Sequence, residues 1–230
     1  MSNWKDMPAA AFDLETSGTD VFSDRVVTGC IVRVDGAQVT TRNWLADPEV
    51  EIPTEATEVH GISTEYAREH GRPHAQVVAE IVNELYACWN EGRQVAIFNA
   101  AFDISLLATH FPAFEVRGLI VDPYVIDREL DPFRKGKRTL GAVCEHYGVR
   151  LDGAHSADGD ALAAARLAWK LPRVYPILEL ADAASLMESQ ANWHRERQFG
   201  FIDYLRRNNR PYDDVSVTWP MRSSRRAQAA

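Results

Sequence analysis

Ala9 to Phe12 form an unbroken apolar run that closes on Asp13 and Glu15, the pattern of a buried strand with acids at its end. The apolar-rich stretches 25–34 and 38–45 follow, joined by Asp35-Gly36-Ala37. Asp-Gly between two such runs predicts a β-hairpin. Segment 53–71, broken by Gly61 and Gly71, reads as two short helical turns. After Pro73 the apolar spacing changes to three and four: Val77, Ile81, Leu85 and Cys88 share one face of a helix that ends at Glu91-Gly92. Strand and helix then alternate. The pattern predicts a strand over 94–98, a helix over 102–110 stopped by Pro112, and a strand over 118–121. A helix started by Asp122-Pro123, another capped by Thr139 and ended by Gly148, and an alanine-rich helix over 157–171 complete it. Pro172 and Pro176 mark the boundary of this pattern. Beyond them a largely helical segment runs to about residue 208, and an Arg-rich tail carries one strand-like run over 215–219.

A three-strand meander followed by alternation predicts an α/β domain over residues 1–172, a mixed five-stranded sheet with helices on both faces. Residues 173–230 form a mainly helical C-terminal extension. At 230 residues and 46% hydrophobic, the chain is long enough for a core without disulfides. Its three cysteines, Cys30, Cys88 and Cys144, never pair as C-x-x-C, which predicts a reducing compartment and offers no thiolate zinc site. Lys+Arg 25 against Asp+Glu 33 leaves a net charge of −8, which argues against a polyanion binder that works by bulk charge. It leaves room for a nucleic-acid enzyme whose acids are offset by metal ions. The N-terminal residues lack a basic stretch followed by an apolar one, and no apolar run is long enough to cross a membrane. The expectation is a cytoplasmic protein with no membrane partner.

Asp13 and Glu15 lie at i and i+2 on the first strand, so their side chains share a face. Taken alone, the pair reads equally well as two solvated carboxylates. Asn99-Ala100-Ala101-Phe102-Asp103 places a third acid after a second buried strand, where a helix dipole alone would favour it. His155-Ser156-Ala157-Asp158-Gly159-Asp160 brings a histidine and two more acids to the start of the alanine-rich helix, where Asp158 also suits an N-cap. Asp122 reads as a helix cap rather than a ligand. Arg134, Lys135, Lys137 and Arg138 suit either a solvated loop or a path for a phosphate backbone. Arg222, Arg225 and Arg226 read as solubilising charges.

Together these residues resemble the DEDDh (DnaQ-like) 3′-to-5′ exonuclease family, which includes the epsilon proofreading subunit of bacterial DNA polymerase III. Its D-x-E-T-x-G motif stands as Asp13 to Gly18, N-x-x-F-D as Asn99 to Asp103, and H-x-A-x-x-D as His155, Ala157 and Asp160. His60-Gly61-Ile62 and Lys137-Arg138-Thr139-Leu140 match two further family features. The likeness covers residues 9–171. It implies an RNase H-like fold in which Asp13, Glu15, Asp103 and Asp160 hold two Mg²⁺ or Mn²⁺ ions, with His155 as the catalytic base. Asp158 is the rival to Asp160, and motif spacing favours Asp160. All-oxygen ligation suits such hard cations. By the same likeness Thr16 and His60 face the terminal nucleotide. Phe102 is a candidate base contact, and Lys137 and Arg138 are candidate contacts to the backbone.

The implied activity is release of nucleoside 5′-monophosphates from a nucleic acid with a free 3′ end, DNA being favoured over RNA by the D-L-E-T-S-G form of the first motif. An exoribonuclease of the RNase T or oligoribonuclease type is the second reading. A non-catalytic nucleic-acid-binding subunit of the same fold is the third, and it is disfavoured because all five motif positions are filled. The extension lies outside the resemblance. Docking on the catalytic domain is its favoured role, ahead of holding a separate DNA polymerase or replication partner or forming a homodimer.

Overall fold

The computed structural model describes residues 3–223, so Arg225 and Arg226 lie outside the described residues. After a 3-10 turn at Trp4–Asp6, β1 (Ala9–Thr16), β2 (Val26–Asp35) and β3 (Gln38–Asp47) form the antiparallel meander. Helices α1 (Thr54–His60) and α2 (Thr64–His70) follow, then β4 (Arg72–Pro73) and the long α3 (His74–Asn90). The alternating part comprises β5 (Gln94–Ala96), α4 (Ala100–His110), β6 (Ile120–Val121), α5 (Pro123–Leu130), α6 (Leu140–Tyr147) and α7 (Ala157–Val174). A 3-10 turn at Pro176–Leu180 and α8 (Ala183–Arg207) complete the chain's elements. The sheet order is β4-β3-β2-β1-β5-β6.

The sheet therefore has six strands rather than the expected five. The extra one is Arg72–Pro73, two residues parallel to Ala46 and Asp47 at the sheet's edge. It has no hydrophobic signature, because an exposed edge strand held by two backbone pairs needs none. The sheet is mixed as expected, with β5 and β6 parallel to β1.

Alternation along β1 sorts its side chains. Ala10, Phe12 and Leu14 point into the core that α3 and α4 cover. Ala11 points the other way, into the core covered by α7, where Ala161, Ala164, Leu167 and Leu171 pack. Small alanines let α7 lie close to β1 and β2. Asp13 and Glu15 continue the Ala11 register and emerge where β1 ends.

Two expectations for the C-terminal third are corrected. Helix α7 runs through Pro172 to Val174, so that proline lies inside the helix instead of ending it. Residues 215–219 form no ladder; they belong to an extended strap that follows α8. Helix α8 docks on the sheet's other edge. Gln190, fully buried, accepts from the Asp122 amide at 2.7 Å and donates to the Ile120 carbonyl at 2.9 Å. Its side-chain amide thereby pairs the exposed backbone of β6 as a neighbouring strand would. Trp193 packs against both cores, whereas Phe199 and Phe201 remain exposed. Among the described residues no helix is long and apolar enough to cross a membrane.

Candidate active site

Strands β1 and β5 run parallel, and the acids gather beyond their carboxyl ends, where open α/β sheets place their sites. Carboxylate oxygens of Asp13, Glu15 and Asp160 lie within 4.8 Å of one another. Asp103, on the first turn of α4, stands outside that group of three but close enough to repel Asp13, and it accepts from the Leu14 amide at 3.1 Å. Asp158 is exposed and stands outside this group, so of the two candidates on α7 it is Asp160 that joins the cluster.

The electrostatics are unfavourable in the absence of cations. Burial pushes the Asp13 carboxyl well above the usual range, and repulsion from Asp103, Glu15 and Asp160 adds to it. Burial, with help from Asp160, pushes Glu15 up to about 7. Asp103 is raised by burial against the pull of the backbone amides it accepts from. Asp160 is raised by burial too, while the backbone and charge of His155 pull it down. One Asp160 oxygen, Oδ1, is buried with no hydrogen-bond partner. Four converging carboxyl groups, an orphaned oxygen and an all-oxygen donor set fit hard divalent cations.

His155 sits on the rim, exposed, in the left-handed region at φ 65°. Its loop is held by Gly159, where a Cβ would collide with the Asp152 and Gly153 carbonyls. The first turn of α7 can thus lie flush under residues 152–156, which keeps His155 beside Asp160. Beyond Glu15 opens a cavity of about 470 Å³, bordered by Glu15, Thr28, Asn43, His60, Tyr66 and His155. Asn43 and Tyr66 were not foreseen, since each sits among ordinary surface residues in the sequence.

The remaining candidates divide. Thr16 donates to the Gly18 carbonyl at 2.7 Å, which fixes the turn after β1. His60 borders the cavity; its Nδ1 accepts from the Ile62 amide at 3.1 Å, its ring faces the Thr16 backbone, and burial lowers its pKa. Phe102 packs half-buried on the core. Lys137 is exposed, but Arg138 turns inward: its guanidinium donates to the fully buried Asp127 carboxylate at 2.8 Å and to three backbone carbonyls, those of Asp127, Asp131 and Arg134. Arg134 holds the other side of Asp127 at 2.6 and 2.8 Å. A buried acid seven and eleven positions upstream thus claims both arginines. Asp122 is a cap, as expected, and more: it accepts from Tyr124 and Val125 at the start of α5 and from Asn99 and Ala100 at the start of α4. Asn99 itself takes φ 65°, a conformation asparagine tolerates.

The RNase_T exonuclease family model matches residues 10–168. DNA polymerase III of PolC type from Halalkalibacterium halodurans is 26% identical over 198 residues, which are 84% of this chain and 13% of that one. The PolC-type enzyme of Clostridium perfringens is 27% identical over 181 residues, 77% of this chain and 12% of that one. The chain therefore spans about an eighth of the length of these relatives. Among solved structures, exonuclease I superposes with a TM-score of 0.64 at 19% identity, covering 74% of this chain and 41% of that one. The zinc-bound complex of E. coli exonuclease I with single-stranded DNA gives 0.61 at 19%, over 81% and 43% of the two chains. Exonuclease X with 5′-overhanging duplex DNA gives 0.57 at 17%, over 79% and 99%. At such identities the likeness to solved structures is one of fold, and the fold is the RNase H-like one.

Proposed function

The chain belongs to the RNase_T exonuclease family, and from that premise we propose that it is a metal-dependent 3′-5′ exonuclease that removes nucleoside 5′-monophosphates from DNA 3′ ends. The observation that carries the reading is the cluster of Asp13, Glu15, Asp103 and Asp160, half-buried to buried, mutually repelling and, among the described residues, in no salt bridge to a lysine or arginine. The PolC-type relatives and the single-stranded DNA in the exonuclease I complex favour DNA over RNA and a replication or repair setting. A separate polymerase is the partner this setting suggests.

Asp13, Glu15 and Asp160, with Asp103 beside them, would hold two ions, Mg²⁺ or Mn²⁺. Bound there, the ions supply charge neutralisation and polarisation of the scissile phosphate. The chain's own groups do the rest. The 470 Å³ cavity receives the terminal nucleoside, with Asn43, His60 and Tyr66 on its walls. His155 takes the proton of the attacking water on an imidazole nitrogen. The Asp160 carboxylate, close enough to feel His155, stabilises the imidazolium that results. Water's oxygen bonds to phosphorus while the bond to the 3′-oxygen of the preceding nucleotide breaks, and that oxygen leaves as a hydroxyl by taking a proton from solvent. Exposure of His155 lets the proton pass to solvent.

The test is digestion of matched 5′-labelled single-stranded DNA and RNA with Mg²⁺, with Mn²⁺ and with chelator. A metal-dependent ladder that shortens from the 3′ end, faster on DNA, is expected. His155→Ala lowers the rate by roughly 10² to 10⁴ and changes the pH-rate profile. Equal cleavage with chelator overturns the metal assignment, and faster cleavage of RNA overturns the substrate. No cleavage of either leaves a binding subunit of the same fold.

A further inference from the structure

The strap after α8 returns to the catalytic centre. Trp219 donates from Nε1 to the buried Asp122 carboxylate at 3.1 Å. Three residues on, the Arg222 amide donates to Ser105 Oγ at 2.7 Å, on α4 and two positions from Asp103. Arg222 thus lies beside the acids although it falls outside residues 10–168 that the family model matches.

Its side chain borders two cavities. One, of about 200 Å³, is walled by Thr19 to Phe22, the loop directly after the first acidic motif. The other, of about 420 Å³, reaches Asn99 and Ala101 at the start of α4 and is bordered by Phe201 and Arg210. The guanidinium is half-buried, and among the described residues it has no hydrogen-bond or ion-pair partner. Burial holds it below the usual arginine range, while Asp103, Asp20 and Asp214 pull the other way from a distance. A cation kept half-desolvated at a cavity mouth, with an exposed aromatic face nearby, is the combination that single-stranded nucleic acid uses.

Direction follows from the sheet. The nucleoside cavity opens over β2 and β3, bordered by Thr28 and Asn43, on one side of β1. Asp103 and Arg222 lie on the other side, with α4 and the strap. A strand whose 3′-terminal nucleoside fills the first cavity and whose scissile phosphate meets the acids must leave toward the second. We propose that Arg222 binds an internucleotide phosphate on the 5′ side of the scissile bond, so that the C-terminal strap supplies a specificity-determining residue for polymeric substrate. This inference rests on the exonuclease reading above. Ser216 and Asp214 share both cavities, and the acidity of Asp214 confines the phosphate to the guanidinium.

The experiment compares a single-stranded DNA oligonucleotide with the p-nitrophenyl ester of thymidine 5′-monophosphate, which has one phosphodiester and no upstream phosphate. In the full chain, Arg222→Gln lowers the ratio of kcat/KM on the oligonucleotide to that on the ester by about tenfold, through KM. The slope of log kcat/KM against log salt on the oligonucleotide shrinks by about 0.7, one phosphate's worth for a single strand. Arg222→Lys keeps the charge, so it keeps the salt slope while KM rises less. It also carries the test if Arg222→Gln does not fold. An unchanged ratio, an equal loss on both substrates, or a lysine variant with the glutamine variant's salt slope overturns the role of Arg222. A wild-type protein that cleaves neither substrate overturns the exonuclease reading, and this inference with it.

Discussion

Two acidic centres of this molecule are built in opposite ways. Asp127 on α5 is fully buried and fully answered: Arg134 and Arg138 grip both carboxylate oxygens, and the Tyr147 hydroxyl donates to Oδ1 at 2.9 Å. Asp103 is nearly as enclosed and Asp13 is half-buried, yet the groups that press on them are other carboxylates, Glu15 and Asp160 among them. The first arrangement is a closed structural ion pair. The second is a standing deficit of positive charge, tolerable only because protonation or bound cations relieve it. The difference supports the proposed function: a folded chain that pairs one buried acid so thoroughly leaves four clustered acids unpaired by lysine or arginine among the described residues.

The comparison breaks most visibly at its functional side. Asp13→Asn is expected to reduce turnover at least about 10³-fold, measured on labelled oligonucleotide. In chelator at pH 8 the same variant unfolds at higher denaturant, a gain of about 1 kcal/mol or more, because a repelled charge is gone. Lower stability would show that Asp13 is structurally paired after all. Asp127→Ala gives the mirror image, a loss of about 3 to 5 kcal/mol with activity per folded molecule retained, since two arginines are stranded. Denaturant melts alongside active-site titration check both.

A pH series sharpens the contrast with a third buried group. His74, at the start of α3, accepts from the Val26 amide at 3.2 Å, with the Arg25 guanidinium 3.2 Å from its other nitrogen and the His110 ring 4.8 Å away. Burial, His110 and Arg25 push its pKa down to about 4. The unfolded chain therefore takes up this proton before the native one does. Its contribution is complete above about pH 6.5 and is lost as pH falls toward 4, by up to about 3 kcal/mol. The acidic cluster has the opposite sign: its raised groups gain a proton more readily when folded, so acidification relieves it. His74→Gln should abolish the acid loss and leave the cluster's gain, visible as stability that rises from pH 6.5 to 4 in chelator. The smallest effect belongs to the basic loop. Lys137→Ala changes stability by less than about 0.5 kcal/mol, whereas Arg138→Ala costs several times that because it leaves Asp127 half-paired.

The basic loop also shows where sequence reading stops. Arg134, Lys135, Lys137 and Arg138 look alike in a row, and only the fold reveals a buried aspartate beneath two of them. Arg222 is the converse. In sequence it is one of several tail arginines, and the strap's anchors at Asp122 and Ser105 bring it to the acids. The two-residue strand β4 was invisible for want of any apolar pattern, and Pro172 inside α7 was misleading because a proline's own dihedral is helical.

Local sequence by itself determined the meander, the alternating half and the acids at strand and helix ends, because two-residue and three-to-four-residue periodicities and turn residues act over a few positions. It also determined the motif order on which family membership rests. Tertiary structure alone decided which charges meet. Asp13 and Asp103 are separated by the hairpin, α3 and β5, and Asp122 is joined to Trp219 across 97 positions. Electrostatic energy depends on distance in space and on exclusion of water, and neither is written in the spacing of residues along the chain.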